Sequence, residues 1–276
     1  MNVRVGDVDL FYETTGEGPA CVLVHGGPGV GHPGRLALYA PLADLVHLVA
    51  YDHRGHGRSS KAPEETYTQD RLAQDLRGLC RALGFERPIL LGTSAGGFIS
   101  LLYATTYPDA LQALVLVGTA PSKAFMPRAT ANMEREGTPA MREAYRRLWD
   151  GSITDPAEFR RAFETIQPMY YHDTRRAPLS LAGRDFDPVT RRALIRDYDR
   201  YDVRDGLSRI RVPTWVGVGR HDWICPIPES EELALRISGA ELHIFEHSGH
   251  SPQAEETPAF MESVRAFLTR RVLAAS

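Results

Sequence analysis

The chain has 276 residues, 43% hydrophobic and 24% charged, enough to bury a large core as one domain, alone or with an insertion. A formal charge of −3 gives no basic face for nucleic acid, and no apolar run is long enough to span a bilayer, so neither nucleic acid nor membrane is an expected partner. Cys21, Cys80 and Cys225 are too scattered for a disulfide framework, and the N-terminus lacks a basic, apolar leader, so the expected location is cytoplasmic.

Val3–Val5 and Val8–Tyr12 predict a β-hairpin turning at Gly6-Asp7. Ala20–Val24 is a short apolar run that ends at His25-Gly26-Gly27-Pro28-Gly29, and His47–Tyr51 is another, followed by Asp52-His53-Arg54-Gly55-His56-Gly57-Arg58-Ser59. Arg35–Leu45 between them has helical character, and Tyr67–Leu83 is amphipathic, with Leu72, Leu76, Leu79 and Leu83 at helical spacing. Strand Ile89–Leu91 leads into Gly92-Thr93-Ser94-Ala95-Gly96-Gly97, then a helix over Phe98–Thr106 stops before Pro108, and Ala113–Val117 is the next strand. Strands that are continuous apolar runs, alternating with helices, indicate a mostly parallel sheet covered on both faces. From Pro121 to about Leu207 the chain is Arg-rich and helical with nearly balanced charge, which reads as a solvated helical surface. Strand Thr214–Val218, a helix over Ser230–Ile237, strand Glu241–Phe245 and a helix over Pro258–Leu273 then resume the alternation. The expected organisation is an α/β core over residues 1–120 and 208–276, interrupted by a helical cap insertion over 121–207.

Gly92-Thr93-Ser94-Ala95-Gly96 is a G-x-S-x-G between a strand and a helix, the context in which a sharp turn thrusts a serine Oγ into the open. A serine hydroxyl is a weak nucleophile until a base takes its proton. Among ten histidines, His250 follows the last strand in Ser248-Gly249-His250-Ser251-Pro252, at the sheet edge from which Ser94 emerges. His243 lies within a strand and reads as a packed or surface position. The base needs a carboxylate to hold its tautomer, and Asp222 follows strand Thr214–Val218 at the same edge. Gly27, in the loop after the third strand, and Ala95, after the serine, are the expected backbone donors to an oxyanion. That glycine-rich loop has neither the GxGxxG spacing nor the GK[ST] ending of a nucleotide loop. Asp52, His53 and His56 form no metal-ligand pattern, Asp52 and Arg54 read as bracing a turn, and no metal or cofactor is expected.

These motifs resemble those of the α/β-hydrolase superfamily over nearly the whole chain. His25–Gly29, the Asp52–Ser59 turn and Gly219-Arg220-His221-Asp222-Trp223-Ile224-Cys225-Pro226 are similar to the proline iminopeptidase group. The elbow departs from those peptidases, which typically have a tryptophan directly after the nucleophile where this chain has Ala95; small esterases and acyl-homoserine lactone hydrolases tolerate such an elbow. The resemblance implies the α/β-hydrolase fold and a serine hydrolase acting on a small-molecule ester, lactone or short amide. Ester or lactone cleavage leads. Aminopeptidase activity on N-terminal proline is the alternative and requires a carboxylate facing the nucleophile, with Glu164 or Asp173 as candidates; a ligand receptor or a carbon–carbon bond hydrolase on the same fold is a minor one. Haloalkane dehalogenases and epoxide hydrolases are disfavoured, because their nucleophile is an aspartate and this chain has Ser94. Phe163, Met169, Tyr170, Tyr171 and Trp223 are candidates for lining an acyl pocket.

Overall fold

Strands buried on both faces need no polar alternation, and the short apolar runs of this sequence take that form. A computed structural model describes residues 1–31, 33–176, 181 and 183–275. Its strands are β1 (Asn2–Val5), β2 (Val8–Thr15), β3 (Ala20–Val24), β4 (His47–Tyr51), β5 (Ile89–Thr93), β6 (Ala113–Val117), β7 (Thr214–Gly219) and β8 (Glu241–Phe245). They form one sheet in the order β1-β2-β4-β3-β5-β6-β7-β8. The β1–β2 and β2–β4 pairs are antiparallel and all later pairs are parallel. The fold is therefore an α/β-type sheet whose parallel strands all end at one edge.

The period-two alternation of side chains divides the core between the two faces. Val22, Val24, Leu90, Leu114 and Leu116 point to one face, where they join Leu72, Leu76 and Leu79 of α2 (Gln69–Ala82) and Phe98 and Leu101 of α3 (Ala95–Thr106). Cys21, Leu23, Ile89, Leu91, Val115 and Val117 point to the other, against Phe260, Val264 and Phe267 near the C-terminus. The helix expected over Arg35–Leu45 divides into α1 (Arg35–Tyr39) and a 3-10 turn over Ala40–Leu42. Pro41, which has no N–H to continue an α-helical ladder, accounts for the break.

Between β6 and β7 lie α4 (Phe125–Glu136), α5 (Pro139–Asp150), α6 (Pro156–Ile166) and α7 (Pro188–Asp197); part of the expected insertion, 177–180 and 182, falls outside the described residues. Three of these helices start alike, with a capping oxygen followed by proline: Asp155 Oδ1 accepts from Glu158 N at 2.8 Å, Asp187 Oδ1 from Thr190 N at 2.8 Å, and Thr138 Oγ1 from Met141 N at 3.3 Å. The two ends of this helical segment are tied where Val203 N donates to Pro121 O at 2.9 Å and Lys123 N to Tyr201 O at 3.0 Å. Two further backbone bonds, Gly31 N to Asp185 O at 2.9 Å and Asp187 N to Gly29 O at 2.7 Å, fasten it to the loop after β3. The chain closes with α8 (Ile227–Arg236), α9 (Pro252–Glu255) and α10 (Thr257–Arg271).

Candidate active site

Ser94 stands between β5 and α3 at φ 56° and ψ −127°, and among the described residues it is the one non-glycine residue with positive φ. A side chain held in that region carries local strain, which surrounding structure must hold in place. Ser94 N donates to Val117 O at 2.9 Å, while Ser94 O accepts from Gly97 N at 2.8 Å and from Thr119 Oγ1 at 2.8 Å. The turn also requires close backbone approach: a Cβ on Gly26 would lie 2.6 Å from Thr93 O and 2.8 Å from Ser94 Cβ. The loop after β3 is thereby pressed against the serine.

His250 and Asp222 meet at the same edge. His250 Nδ1 is 2.7 Å from Asp222 Oδ2, and both residues are buried. Asp222 Oδ1 accepts from Ile224 N at 3.0 Å and Cys225 N at 2.9 Å, so backbone amides fix the carboxylate. A proton shared with a carboxylate belongs on Nδ1, which leaves the Nε2 lone pair available, and Nε2 has no hydrogen-bond partner among the described residues. The histidine loop is held from outside by Glu255, a buried residue whose carboxylate accepts from Gly249 N at 2.6 Å and from Asp173 N at 3.0 Å. His250 N itself donates to Tyr170 O at 2.9 Å. His243, by contrast, stacks on Trp215 at 5.1 Å between ring centroids, away from this edge.

The Gly27 and Ala95 amides are the two expected oxyanion donors. Ala95 is the first residue of α3, where helix N–H groups lack an internal acceptor. Gly27, at φ 69°, turns the β3 loop, and neither amide donates to an acceptor among the described residues. Three buried histidines support that loop. His53 N donates to His25 Nε2 at 3.2 Å and His53 Nε2 donates to His25 O at 2.9 Å. His56 Nδ1 donates to Arg54 O at 2.9 Å, so its Nε2 is the acceptor for Gly29 N, also at 2.9 Å. Burial holds the pKa of His56 down to about 4 and that of His53 well below the usual range, which keeps both rings neutral. Asp52 and Arg54 brace the adjoining turn: Asp52 Oδ2 accepts from Arg58 N at 2.9 Å, and Arg54 forms a bidentate pair with Asp75 at 2.6 and 2.9 Å.

Ser94, Ala95, Gly27 and His250 all open on one cavity of about 350 Å³. Phe163, Tyr170 and Tyr171 also line it. Met169 and Trp223 lie outside its lining, which corrects their sequence assignment. Met169 belongs to a 3-10 turn over Gln167–Tyr170, in which residues three apart share a face; Gln167 and Tyr170 therefore line the cavity and Met169 packs on the core. Trp223 is buried behind the wall, edge-on to Tyr170 at 5.5 Å and to Tyr145 at 5.7 Å between ring centroids.

A family model described as alpha/beta hydrolase fold matches residues 19–149. A proline iminopeptidase, PfmaB, from Pestalotiopsis fici is 30% identical over 97% of this chain and 99% of its own length. The chain belongs to the α/β-hydrolase family. A 2-hydroxy-6-oxo-6-phenylhexa-2,4-dienoate hydrolase from Comamonas testosteroni is 28% identical over 97% of this chain and 93% of its own. The solved structure of a thermophilic esterase from Thermogutta terrifontis is 27% identical, with a TM-score of 0.73 over 99% of both chains. The names of these relatives differ in substrate, so membership establishes a hydrolase of this fold and not what it cleaves.

Three arginines of this α/β-hydrolase that no sequence motif marks line the cavity: Arg35, Arg184 and Arg191. The charge pattern of the helical segment predicts a solvated surface, and most of its arginines lie on one, Arg146 with Glu143 and Asp150 for example. Arg191 does not, being 8% exposed. The signal was its place in the stripe Arg191, Leu194 and Tyr198, at helical spacing on the buried side of α7 and the turn after it.

Proposed function

We propose that this α/β-hydrolase cleaves a carboxylic ester or lactone through an acyl-enzyme, with Ser94 as nucleophile, His250 as general base and Asp222 as the carboxylate that orients it. One observation carries the reading. A serine in a strained strand-to-helix turn and a carboxylate-anchored histidine whose Nε2 has no partner among the described residues belong to the same cavity. In this mechanism Ser94 Oγ attacks the carbonyl carbon, His250 Nε2 takes its proton, and the tetrahedral oxyanion is held by the Gly27 and Ala95 amides. His250 then passes the proton to the leaving alkoxide and activates the water that releases the acid. Each oxyanion donor contributes about 3 kcal/mol to the barrier reduction. The helical segment over 121–207 acts as the cap on a core formed by 1–120 and 208–276, supplying Phe163, Tyr170 and Tyr171 to the wall.

Aminopeptidase activity is suggested by the iminopeptidase relatives, but it needs a carboxylate to pair with the substrate ammonium. Glu164 pairs with Arg160 at 3.0 Å and Asp173 with Arg175 at 2.8 Å, and no aspartate or glutamate among the described residues lines the cavity. Ester or lactone cleavage therefore ranks first. Parallel assays with a short-chain aryl ester, an acyl-homoserine lactone and a proline arylamide test the ranking, and rapid multiple turnover separates an enzyme from a receptor. Ser94→Ala is expected to abolish turnover with the fold intact. Most activity surviving that change would refute the mechanism, and fast arylamide cleavage with negligible ester or lactone turnover would reverse the ranking.

A further inference from the structure

Arg191 is the most unusual charge in the cavity. Its Nε donates to Leu148 O at 2.8 Å, and its guanidinium lies 5.3 Å from the Trp149 ring centroid and 5.2 Å from that of Phe159. Its remaining N–H groups have no partner, and it forms no ion pair, among the described residues. The contrast with Arg54 is instructive: that guanidinium is also buried, and Asp75 and Asp7 both pair with it. A buried cation without a counter-ion is costly, and ring faces offset only part of the cost. Arg35 and Arg184 add positive charge to the same wall, likewise without an ion pair among the described residues.

Arg191 is also near the reacting groups. Its Cβ would be 2.7 Å from a Cβ on Gly29, which seats α7 on the loop that carries Gly27. Tyr170 stands with its ring 5.3 Å from that of His250 and feels the Arg191 charge. An anionic group occupying the cavity beside Tyr170 would therefore supply the missing counter-charge while the rest of the same molecule reaches Ser94.

We propose that Arg191 is an anion-binding residue of the cavity and that the substrate carries a carboxylate, received by the planar fork of this guanidinium. The substrate class is then a carboxylate-bearing ester or lactone, a refinement that rests on the Ser94 hydrolase reading. The fork geometry favours a carboxylate because two parallel N–H groups match its two oxygens.

Two matched ester pairs test this, one with the charge on the acyl side and one with it on the leaving group. The first is 4-nitrophenyl hydrogen adipate against methyl 4-nitrophenyl adipate; the second is 4-(butanoyloxy)benzoate against its methyl ester. A charged hydrogen-bonded contact predicts a kcat/KM at least about tenfold higher for the acid in one pair. In Arg191→Gln that ratio is expected to fall to near unity, while Arg191→Lys, which keeps the charge and loses the fork, retains part of it. Calorimetric binding of both pairs to Ser94→Ala protein reads the same preference without turnover and needs no Arg191 variant to fold. Acid-selective binding with no ester turnover in the wild type would support the anion site and overturn the hydrolase reading. Equal or weaker binding of the acid in both pairs, or a preference that survives in Arg191→Gln, would overturn the anion site.

Discussion

His56 offers a quantitative test of how the loop after β3 is held. Its ring is 1% exposed, donates from Nδ1 to Arg54 O and accepts from Gly29 N at Nε2, an arrangement that only the neutral form makes. Burial is the main cause of its depressed pKa, the Lys61 charge adds to it, and the Asp187 and Asp185 charges oppose it. Above pH 6.5 the ring is neutral in the folded and unfolded chain alike, and its contribution to stability is whole. As pH falls from 6.5 toward 4, the unfolded chain takes up a proton that the fold refuses, so stability declines; below about 4 the loss levels off. The gap between 6.5 and about 4 corresponds to roughly 3 kcal/mol in all, lost at about 1.4 kcal/mol per pH unit. His53, also held neutral by burial, acts in the same direction. His56→Gln keeps an acceptor for Gly29 and a donor for Arg54 but does not titrate. Urea unfolding of both proteins between pH 7 and pH 5 is expected to show the stability gap moving in favour of the variant by roughly 2 kcal/mol. Parallel stability curves across that range would refute the argument, because carboxylate titration is common to both proteins.

Three further changes probe the site and its support. Ser94→Gly relieves the positive φ and is expected to raise Tm by on the order of 2–5 °C while abolishing turnover; a lower Tm in a thermal melt would count against strain at the elbow. Asp222→Asn retains an oxygen for the Ile224 and Cys225 amides, so the loop holds, but its amide donates to Nδ1 and shifts the proton to Nε2. Its kcat is expected to fall by roughly 10⁴-fold with the fold preserved, and a loss smaller than about tenfold in steady-state kinetics would remove Asp222 from the mechanism. Arg54→Met leaves the buried carboxylate of Asp75 with only Arg71, whose Nε is 3.5 Å from Oδ1, and is expected to cost about 3 kcal/mol in chemical unfolding. A cost below about 1 kcal/mol would place that pair with exposed ion pairs.

Much of the fold and the candidate chemical centre was legible in the sequence because both depend on local patterns. A strand buried on both faces must be a short apolar run, so β3 and β6 begin and end where their apolar runs do, and β4 and the half-exposed edge strand β8 also keep the bounds of their sequence patterns. The elbow at Ser94 needs small residues within a few positions on either side, and each loop at the strand ends carries its own residue, Gly27, Asp222 or His250. Helix starts were less legible: α3 begins at Ala95 rather than Phe98, because the elbow passes directly into the helix.

The cavity wall was legible only in part: Phe163, Tyr170 and Tyr171 line it, but its full composition depends on which way each side chain faces once distant segments meet. Met169 and Tyr170 are adjacent and both apolar enough for a pocket, yet the 3-10 turn sends only Tyr170 inward. Trp223 follows the candidate acid directly and still packs behind the wall. Arg191 looks in sequence like any other arginine on a charged helix, and it becomes a buried cavity charge because Asp187 N bonds to Gly29 O and brings α7 down onto the loop after β3. The sequence alone thus determined which loops carry the candidate reacting groups, since those signals lie within a few residues of one another. The charge and shape that a substrate must match were decided only when α7, Tyr170 and the glycine loop came together, through contacts between residues more than a hundred positions apart.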